Sequence, residues 1–288
     1  MANNISLFKK YVPLLDEVYK DAALTSVLDS DASLAQAGAN ANEIIIPKIS
    51  MDGLGDYDRN SGYTNGDVTL TNETVKFNYE RGRMFSVDAM DNEETAGIAY
   101  GKLASEFIRT KVAPEGDAFR FATYSAVEGI GSASGELADG AAVVAALRTA
   151  SNEMDEQEVP FEERYLFITP TAKGMVEDLD TTKSREVLAK FAQVIPVPQT
   201  RFYTAIDLKS GKDGETAGGY AKAEGAKDIN FMVVHKPAVM QYNKHIAPKV
   251  VTPEANQDAD AWKFGYRKYG LADVYENKVA GIYVHHKA

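Results

Sequence analysis

The side chains able to move protons or hold metals are four histidines, a run of aspartates and one cluster of carboxylates. His235 and His245 stand outside the H-E-x-x-H frame that would put two imidazoles and a base on one helix face, and His285 and His286 simply adjoin. Surface or capping roles fit that spacing better than metal ligation. Asp56, Asp58, Asn60 and Asp67 approach a calcium loop, which needs oxygens at its first, third, fifth and twelfth positions. Gly62 falls one place late, Asp67 is short where a bidentate glutamate is needed, and no helical pattern flanks the run. A polar turn is the expectation, because Gly, Asn and Asp favour turns for conformational reasons. Glu153, Asp155, Glu156 and Glu158 gather at the end of a predicted helix and read as a solvated face. Cysteine is absent, so there is no thiolate and no disulfide, as suits a reducing compartment. No G-x-S-x-G, Walker A or G-x-G-x-x-G frame occurs, and Gly218-Gly219 stands alone. No nucleophile or base sits beside an orienting partner, so no catalytic, cofactor-binding or metal residue is expected.

The elements that would have to position any such groups are mixed. Ile5 to Leu28 reads as an arm with a short helix broken at Pro13, and Ala32 to Asn42 as a small-residue linker. Ile44 to Ile49 is an edge strand, since Pro47 cannot donate to a ladder. A polar excursion from Met51 to Asp67 follows. Val68 to Phe77 then returns as an alternating strand that runs on through Tyr79 towards Met84-Phe85. That excursion is far longer than the usual hairpin connection of about 2–5 residues, which marks it as functional or mobile.

Asp91 to Val127 carries a helical period through Leu103, Phe107, Ile108, Val112, Phe119, Ala122 and Ala126, with a kink or a break expected at Val112–Pro114. A second helix starts on an Asp139 cap and runs to about Met154. Tyr165 to Ile168 is a buried strand, and Thr169-Pro170 caps a helix through Leu179. Ser184 to Phe191 is a further helix. Val194–Val197, Phe202–Ile206 and Phe231–Val234 are strands, with a Gly/Ala/Lys-rich loop over Lys209–Lys227. Trp262, Phe264 and Tyr266 alternate with Lys263, Gly265 and Arg267, the period of a half-buried strand. Gly270 punctuates that run, Leu271 to Tyr275 resumes it, and Val279 to His285 closes the chain as a core strand. Helices and strands without a βαβ rhythm give an α+β class.

Length and composition set outer bounds. The 288 residues, 44% hydrophobic and 25% charged, describe one large globular domain or two modest ones. A net charge of −11 argues against whole-surface adhesion to nucleic acid or anionic lipid. No run approaches the roughly 18 apolar residues of a membrane span, and the first residues lack the apolar core of a signal peptide.

The order of these parts resembles the HK97-type major capsid protein of tailed bacteriophages. The echoes are Phe107-Ile-Arg-Thr-Lys-Val-Ala-Pro-Glu-Gly-Asp-Ala-Phe-Arg120, Arg164-Tyr-Leu-Phe-Ile-Thr-Pro170, Ile229-Asn-Phe-Met-Val-Val-His-Lys-Pro-Ala238, and the terminal Tyr266-Arg-Lys-Tyr-Gly270 with Asn277-Lys-Val-Ala-Gly-Ile-Tyr283. The resemblance spans nearly the whole chain. It implies an N-terminal arm over 1–42 and an E-loop over 43–80 that lies across a neighbouring subunit. It implies a P-domain with a spine helix over 81–131, an A-domain over 132–241, and P-domain C-terminal strands over 242–288.

The function it implies is self-assembly as hexamers and pentamers into an icosahedral shell around double-stranded DNA, without sequence-specific binding. Implied partners are a separate scaffolding protein, a portal and a maturation protease. The location would be the virion, after assembly in the host cytoplasm, with no membrane. Some members of that family cross-link an E-loop lysine to an asparagine near the strand of Trp262. Lys48 and Lys76 could donate here, but the approach reads Asp258-Ala-Asp-Ala261, with Asn256 the nearest asparagine, which departs from the pattern. The alternatives are an encapsulin-like compartment shell and, further off, an α+β enzyme or binding module. The long polar excursion speaks against the last.

Overall fold

The strand Ile229–His235 is buried at every residue, so both of its faces must be covered, and the fold is arranged to do that. The computed structural model describes residues 23–30, 36–37, 43–90, 104–179, 181–212 and 214–288. In chain order it runs β1 (Gln36–Ala37), β2 (Glu43–Met51), β3 (Val68–Lys76) and β4 (Tyr79–Asp88), then a π turn (Ile108–Val112) leading into α1 (Ala113–Ser125). Next come β5 (Gly131–Ser134), α2 (Gly140–Glu156), β6 (Arg164–Ile168), α3 (Pro170–Asp178) and α4 (Thr182–Ala189). Then follow β7 (Gln193–Pro196), β8 (Ile206–Leu208), β9 (Tyr220–Lys222), β10 (Ile229–His235), β11 (Val239–Val251), β12 (Ala261–Val274) and β13 (Ile282–His286).

A five-stranded mixed sheet has the order β5-β13-β10-β6-β7. One face, with Phe167, Met232, Val234, Ile282 and Val284, packs on Phe121 and Tyr124 of α1 and on Leu28. The other face, with Leu166, Phe231, Val233 and Tyr283, packs on α2, α3 and α4 through Leu147, Val176 and Val187. A three-stranded antiparallel sheet, β11-β12-β4, holds the π turn against Phe264 and Tyr266. The β2–β3 hairpin, with β1 along its edge, forms a separate sheet whose root packs on β11 and β12.

Local chemistry sets these boundaries. Asp139 accepts from Ala142 N and Thr169 from Ala172 N, while Thr181 and Ser184 form a reciprocal capping box. Where the sequence predicts a kink, the helix continues through the π turn, with Val112 and Ala113 in helical conformation. Pro114 has no N–H to give, and its ring would strike the carbonyl four residues back, so the wider turn before it supplies room. The first part of that predicted helix, 91–103, lies outside the described residues, as does most of the arm.

Other boundaries differ from the sequence reading. The run from Val68 towards Phe85 is two strands in different sheets, separated at Asn78, whose side chain donates to Ala272 O at 2.7 Å and accepts from Ala272 N at 3.1 Å like a peptide group. Phe202 is no strand residue; it follows a 3-10 turn and fills the core at 0% exposure. The loop over Lys209–Lys227 contains β9, which pairs with β8. Gly270 does not divide β12. It lies opposite Asn243 beside a bulge in β11, where a Cβ would come within 2.7 Å of the Tyr242 carbonyl oxygen, so glycine is what lets the strand pass. The closing strand begins at Ile282 after a 3-10 segment, and it joins β10 and β5 instead of β12.

Under α1 lies a buried polar network. Asp117 is 0% exposed and accepts from the backbone N–H of Leu24 (3.1 Å) and Thr25 (3.1 Å), from Thr25 Oγ1 (2.7 Å) and from Arg201 Nη1 (3.2 Å). Arg120 donates to Thr25 Oγ1 at 2.6 Å. Gln241 of β11 donates to Thr25 O (2.7 Å) and Asp29 Oδ1 (2.6 Å), and accepts from Tyr124 OH (2.8 Å). A buried carboxylate must be paired and hydrogen-bonded to be tolerated, and here the segment 23–30 supplies most of the donors. Lys268 of β12, 2% exposed, lies nearby. Burial, with Arg120 adding repulsion, pushes its ammonium pKa down to about 7.

These placements carry three predictions. Deleting residues 282–288 removes a strand flanked on both sides and should give insoluble subunits; soluble, cooperatively folding protein would contradict the placement of β13. Phe264→Ala should cost about 3–5 kcal/mol by urea denaturation, and Trp262→Ala clearly less, because Trp262 is only partly buried. The third concerns pH. Unfolded Lys268 keeps its proton to about pH 10.4 whereas the folded side chain loses it near 7, so the unfolded chain binds more protons between those limits. Stability contributed at this site is therefore full above about pH 10 and is lost as pH falls towards 7. Lys268→Met should flatten that slope; an unchanged slope in urea midpoints measured at about pH 7 and 9.5 would show that Lys268 is not its source.

Candidate functional site

Two surfaces stand out, one projecting and one recessed. The projecting one is the hairpin. β2 and β3 pair in unbroken antiparallel register from Glu43↔Lys76 to Met51↔Val68. Its root is buried, with Ile44 and Val75 packed against Met240, Tyr242 and Leu271. Further out, Lys48 reaches Glu73 at 2.9 Å and also pairs with Glu276 beyond β12, and these carboxylates hold its pKa up. Past that point the pairs Ile49↔Leu70 and Met51↔Val68 share one face and are all more than half exposed. Nine residues per strand at about 3.3 Å each carry the tip roughly 30 Å from the root.

The tip is ordered by its own chemistry. Asp58 accepts from Asn60 N at 2.6 Å and Ser61 N at 3.4 Å, which holds its carboxyl below the usual range, and the Asp58–Gly62 bridge closes the turn with Gly62 at φ +83. Asp67 N donates to Asp52 Oδ2 at 2.9 Å. The Tyr57 and Tyr63 rings meet edge to face at 4.9 Å and both are exposed, as is Leu54. The residues that suggested a calcium loop therefore build a turn, in which the Asp58 oxygen is directed at backbone amides.

The recessed surface is a groove of about 480 Å³ between β4, the helical segment at 106–115 and the loop 209–219. Phe85, Phe107, Val112 and Tyr266 give it an apolar wall. Arg81 pairs with Glu115 at 2.7 Å and donates to Lys209 O at 2.8 Å, and Arg83 donates to Thr216 O at 2.8 Å, so two arginines of β4 hold the loop in place. Gly218, at φ +63, sits against Arg83 in a turn that a side chain would strain. The Gly218-Gly219 pair thus shapes this loop.

The remaining sequence candidates are dispersed. His235 ends β10 and His245 lies in the other sheet, while His285 and His286 end β13. Burial lowers the pKa of His235 and His285, and His285 Nδ1 meets Asn230 Nδ2 at 3.0 Å. Among the described residues no group of three metal-ligating side chains occurs. The carboxylate cluster corrects one expectation. Asp155 does not belong to a solvated face; it binds Arg164, 2% exposed, at 2.7 Å. Asn256 donates to Ala261 O at 2.9 Å, and Lys48 is occupied by its two glutamates. Sequence reasoning missed Asp117, Arg120 and Gln241. Charges inside an apolar helical period were the available signal.

No protein-family model and no curated protein sequence matches the chain. Solved structures do. A Gordonia phage Cozz structure aligns with TM-score 0.61 and 10% identity over 93% of this chain and 86% of that one. The capsid of cyanophage P-SCSP1u aligns at 0.54 and 13% over 88% and 85%. A virus-like particle from Pyrococcus furiosus aligns at 0.58 and 11% over 96% and 98%. At 10–13% identity these likenesses are ones of fold, and the chain has the HK97-like α+β fold.

Proposed function

We propose that this chain is the shell subunit of a tailed-phage capsid, assembling as hexamers and pentamers around double-stranded DNA in the virion. The observation that carries the reading is the hairpin. It presents Ile49, Met51, Val68 and Leu70 on one exposed face, beyond the point where Lys48 pairs with Glu276. Exposed apolar stripes of that kind mark interaction surfaces. The fold shared with phage capsid structures supplies the kind of partner, further copies of the chain. In this reading 1–42 is the arm, 43–80 the E-loop, 81–131 and 242–288 the P-domain and 132–241 the A-domain, although β13 joins the sheet of β6, β7 and β10. A separate scaffolding protein, a portal and a maturation protease would serve its assembly, and the subunit itself would carry no catalytic role. The near-complete overlap with the Pyrococcus furiosus particle favours one second reading, a cellular compartment shell that encloses protein.

Purified protein, with a scaffolding partner supplied, should form megadalton particles by light scattering and closed shells by negative-stain microscopy. Protein that stays monomeric or dimeric under all such conditions sinks both shell readings, and nucleic acid against protein content of native particles separates them. Limited proteolysis should cut between Gly53 and Gly66 in free subunits and spare that stretch in shells. Equal protection in the two states would show that the hairpin does not meet a neighbour.

A further inference from the structure

Asn65-Gly66 is the one Asn-Gly pair in the sequence, and it lies in the hairpin tip. Such a pair ordinarily serves as a tight hairpin turn, with both residues at positive φ. Here the turn is closed elsewhere, by the Asp58–Gly62 bridge with Gly62 at φ +83, and Gly66 is not in the left-handed region. Conformation therefore does not account for the pair. Its covalent chemistry is another matter. An asparagine side chain carries an amide carbon that the next backbone nitrogen can attack, and a following glycine has no Cβ to obstruct the approach. Burial of the pair, or engagement of that nitrogen, prevents the attack in most folded settings. Neither applies at Asn65. Continuing the register of Met51↔Val68 sets Asn65 opposite Leu54, and both are exposed. Thr64 Oγ1 is turned against Gly55, and Asp67 N donates to Asp52 Oδ2 at 2.9 Å, so the positions on either side are held. Among the described residues neither the Asn65 side chain nor the Gly66 N–H is engaged in a hydrogen bond. Asn60 supplies the contrast, because the nitrogen that follows it, Ser61 N, is directed at Asp58 Oδ1 at 3.4 Å.

We propose that Asn65-Gly66 is a self-modification site, at which the exposed tip converts spontaneously to aspartate and isoaspartate. Gly66 N gives its proton to solvent base and attacks Asn65 Cγ. The new N–Cγ bond closes a succinimide ring as the Cγ–Nδ2 bond breaks, and Nδ2 leaves as ammonia after taking a proton from water. A water molecule then opens the ring. Opening at Cγ yields aspartate. Opening at the former main-chain carbonyl yields isoaspartate, in which the main chain runs through the side chain of residue 65. Water is the only co-reactant, and nothing is oxidised or reduced. Either product adds a carboxylate to a stretch, 52–67, that already holds four aspartates and one arginine. Isoaspartate also inserts a methylene into the main chain beside Gly66, where Asp52 and Asp67 close the hairpin. This chemistry belongs to the single chain and is independent of the shell reading.

The sequence provides its own controls, since the tryptic peptide 60–76 holds Asn60, Asn65 and Asn72 together. Freshly purified protein is incubated at neutral and at mildly alkaline pH and sampled over days. Fragmentation mass spectrometry of that peptide should place the exchange of amide for carboxyl at Asn65, with Asn60 and Asn72 intact. Labelling by an isoaspartate methyltransferase should find isoaspartate at the same position. The rate should rise with pH, because the attacking species is the deprotonated amide. A Cβ at residue 66 would meet Asp52 Cβ at 3.7 Å, an ordinary contact, so Gly66→Ala should leave the circular dichroism spectrum unchanged and remove most of the isoaspartate. Asn65→Gln, which closes the ring far more slowly, should remove it as well. An intact Asn65 after prolonged incubation, conversion of Asn60 at the same rate, or a Gly66→Ala variant that converts as quickly as the parent overturns the proposal.

Discussion

The interaction on which the structure depends is the burial of Asp117 in the first α-helix. A carboxylate with no exposed surface has to be met by donors, and the helix that carries it cannot provide them. They come from the backbone of Leu24 and Thr25, from the Thr25 hydroxyl and from Arg201. Meeting that demand draws the segment 23–30 back across the helix, brings Leu28 into the core, and engages Gln241 of β11. Removing one partner from such a cluster typically costs about 3–5 kcal/mol, because the remaining charge is then stranded. One charge thereby orders the segment 23–30, the helix and the junction between the two sheets.

Much of the architecture was legible from periodicity and capping. Asp139, Thr169-Pro170 and the alternating Trp262, Phe264 and Tyr266 announce their elements because the forces involved are local. What was illegible is non-local. Gly270 reads as a break until the Tyr242 carbonyl is placed against it, and Phe202 reads as strand until the core shows the hole that it fills. The long run after Val68 conceals a change of sheet, since both strands satisfy the same alternation and only Asn78 marks the exchange. The recessed groove could not be read at all, being assembled from residues 81–85, 106–115 and 209–219.

The two halves of the molecule solve different problems. The body buries a strand on both faces and ties its polar groups down, as a unit that must keep one shape. The hairpin leaves apolar pairs in water, which a monomer would be expected to avoid. Stability and exposure are thus segregated along the chain, with the ion pairs of Lys48 close to the boundary. In the proposed shell, permanence would come from the number of contacts, so no single hairpin contact would have to be strong.

The root of the hairpin is Ile44 and Val75 against Met240, Tyr242 and Leu271, flanked by the partly buried Ile46, Phe77 and Tyr275 and reinforced by Lys48. Mechanically that is a short fulcrum under an arm of roughly 30 Å. A tilt of about 10° at the fulcrum sweeps the far end through roughly 5 Å, by the geometry of an arm that length. In the proposed shell, copies that meet at unequal angles would take up the difference in this lever. The packed sheets behind it need not deform.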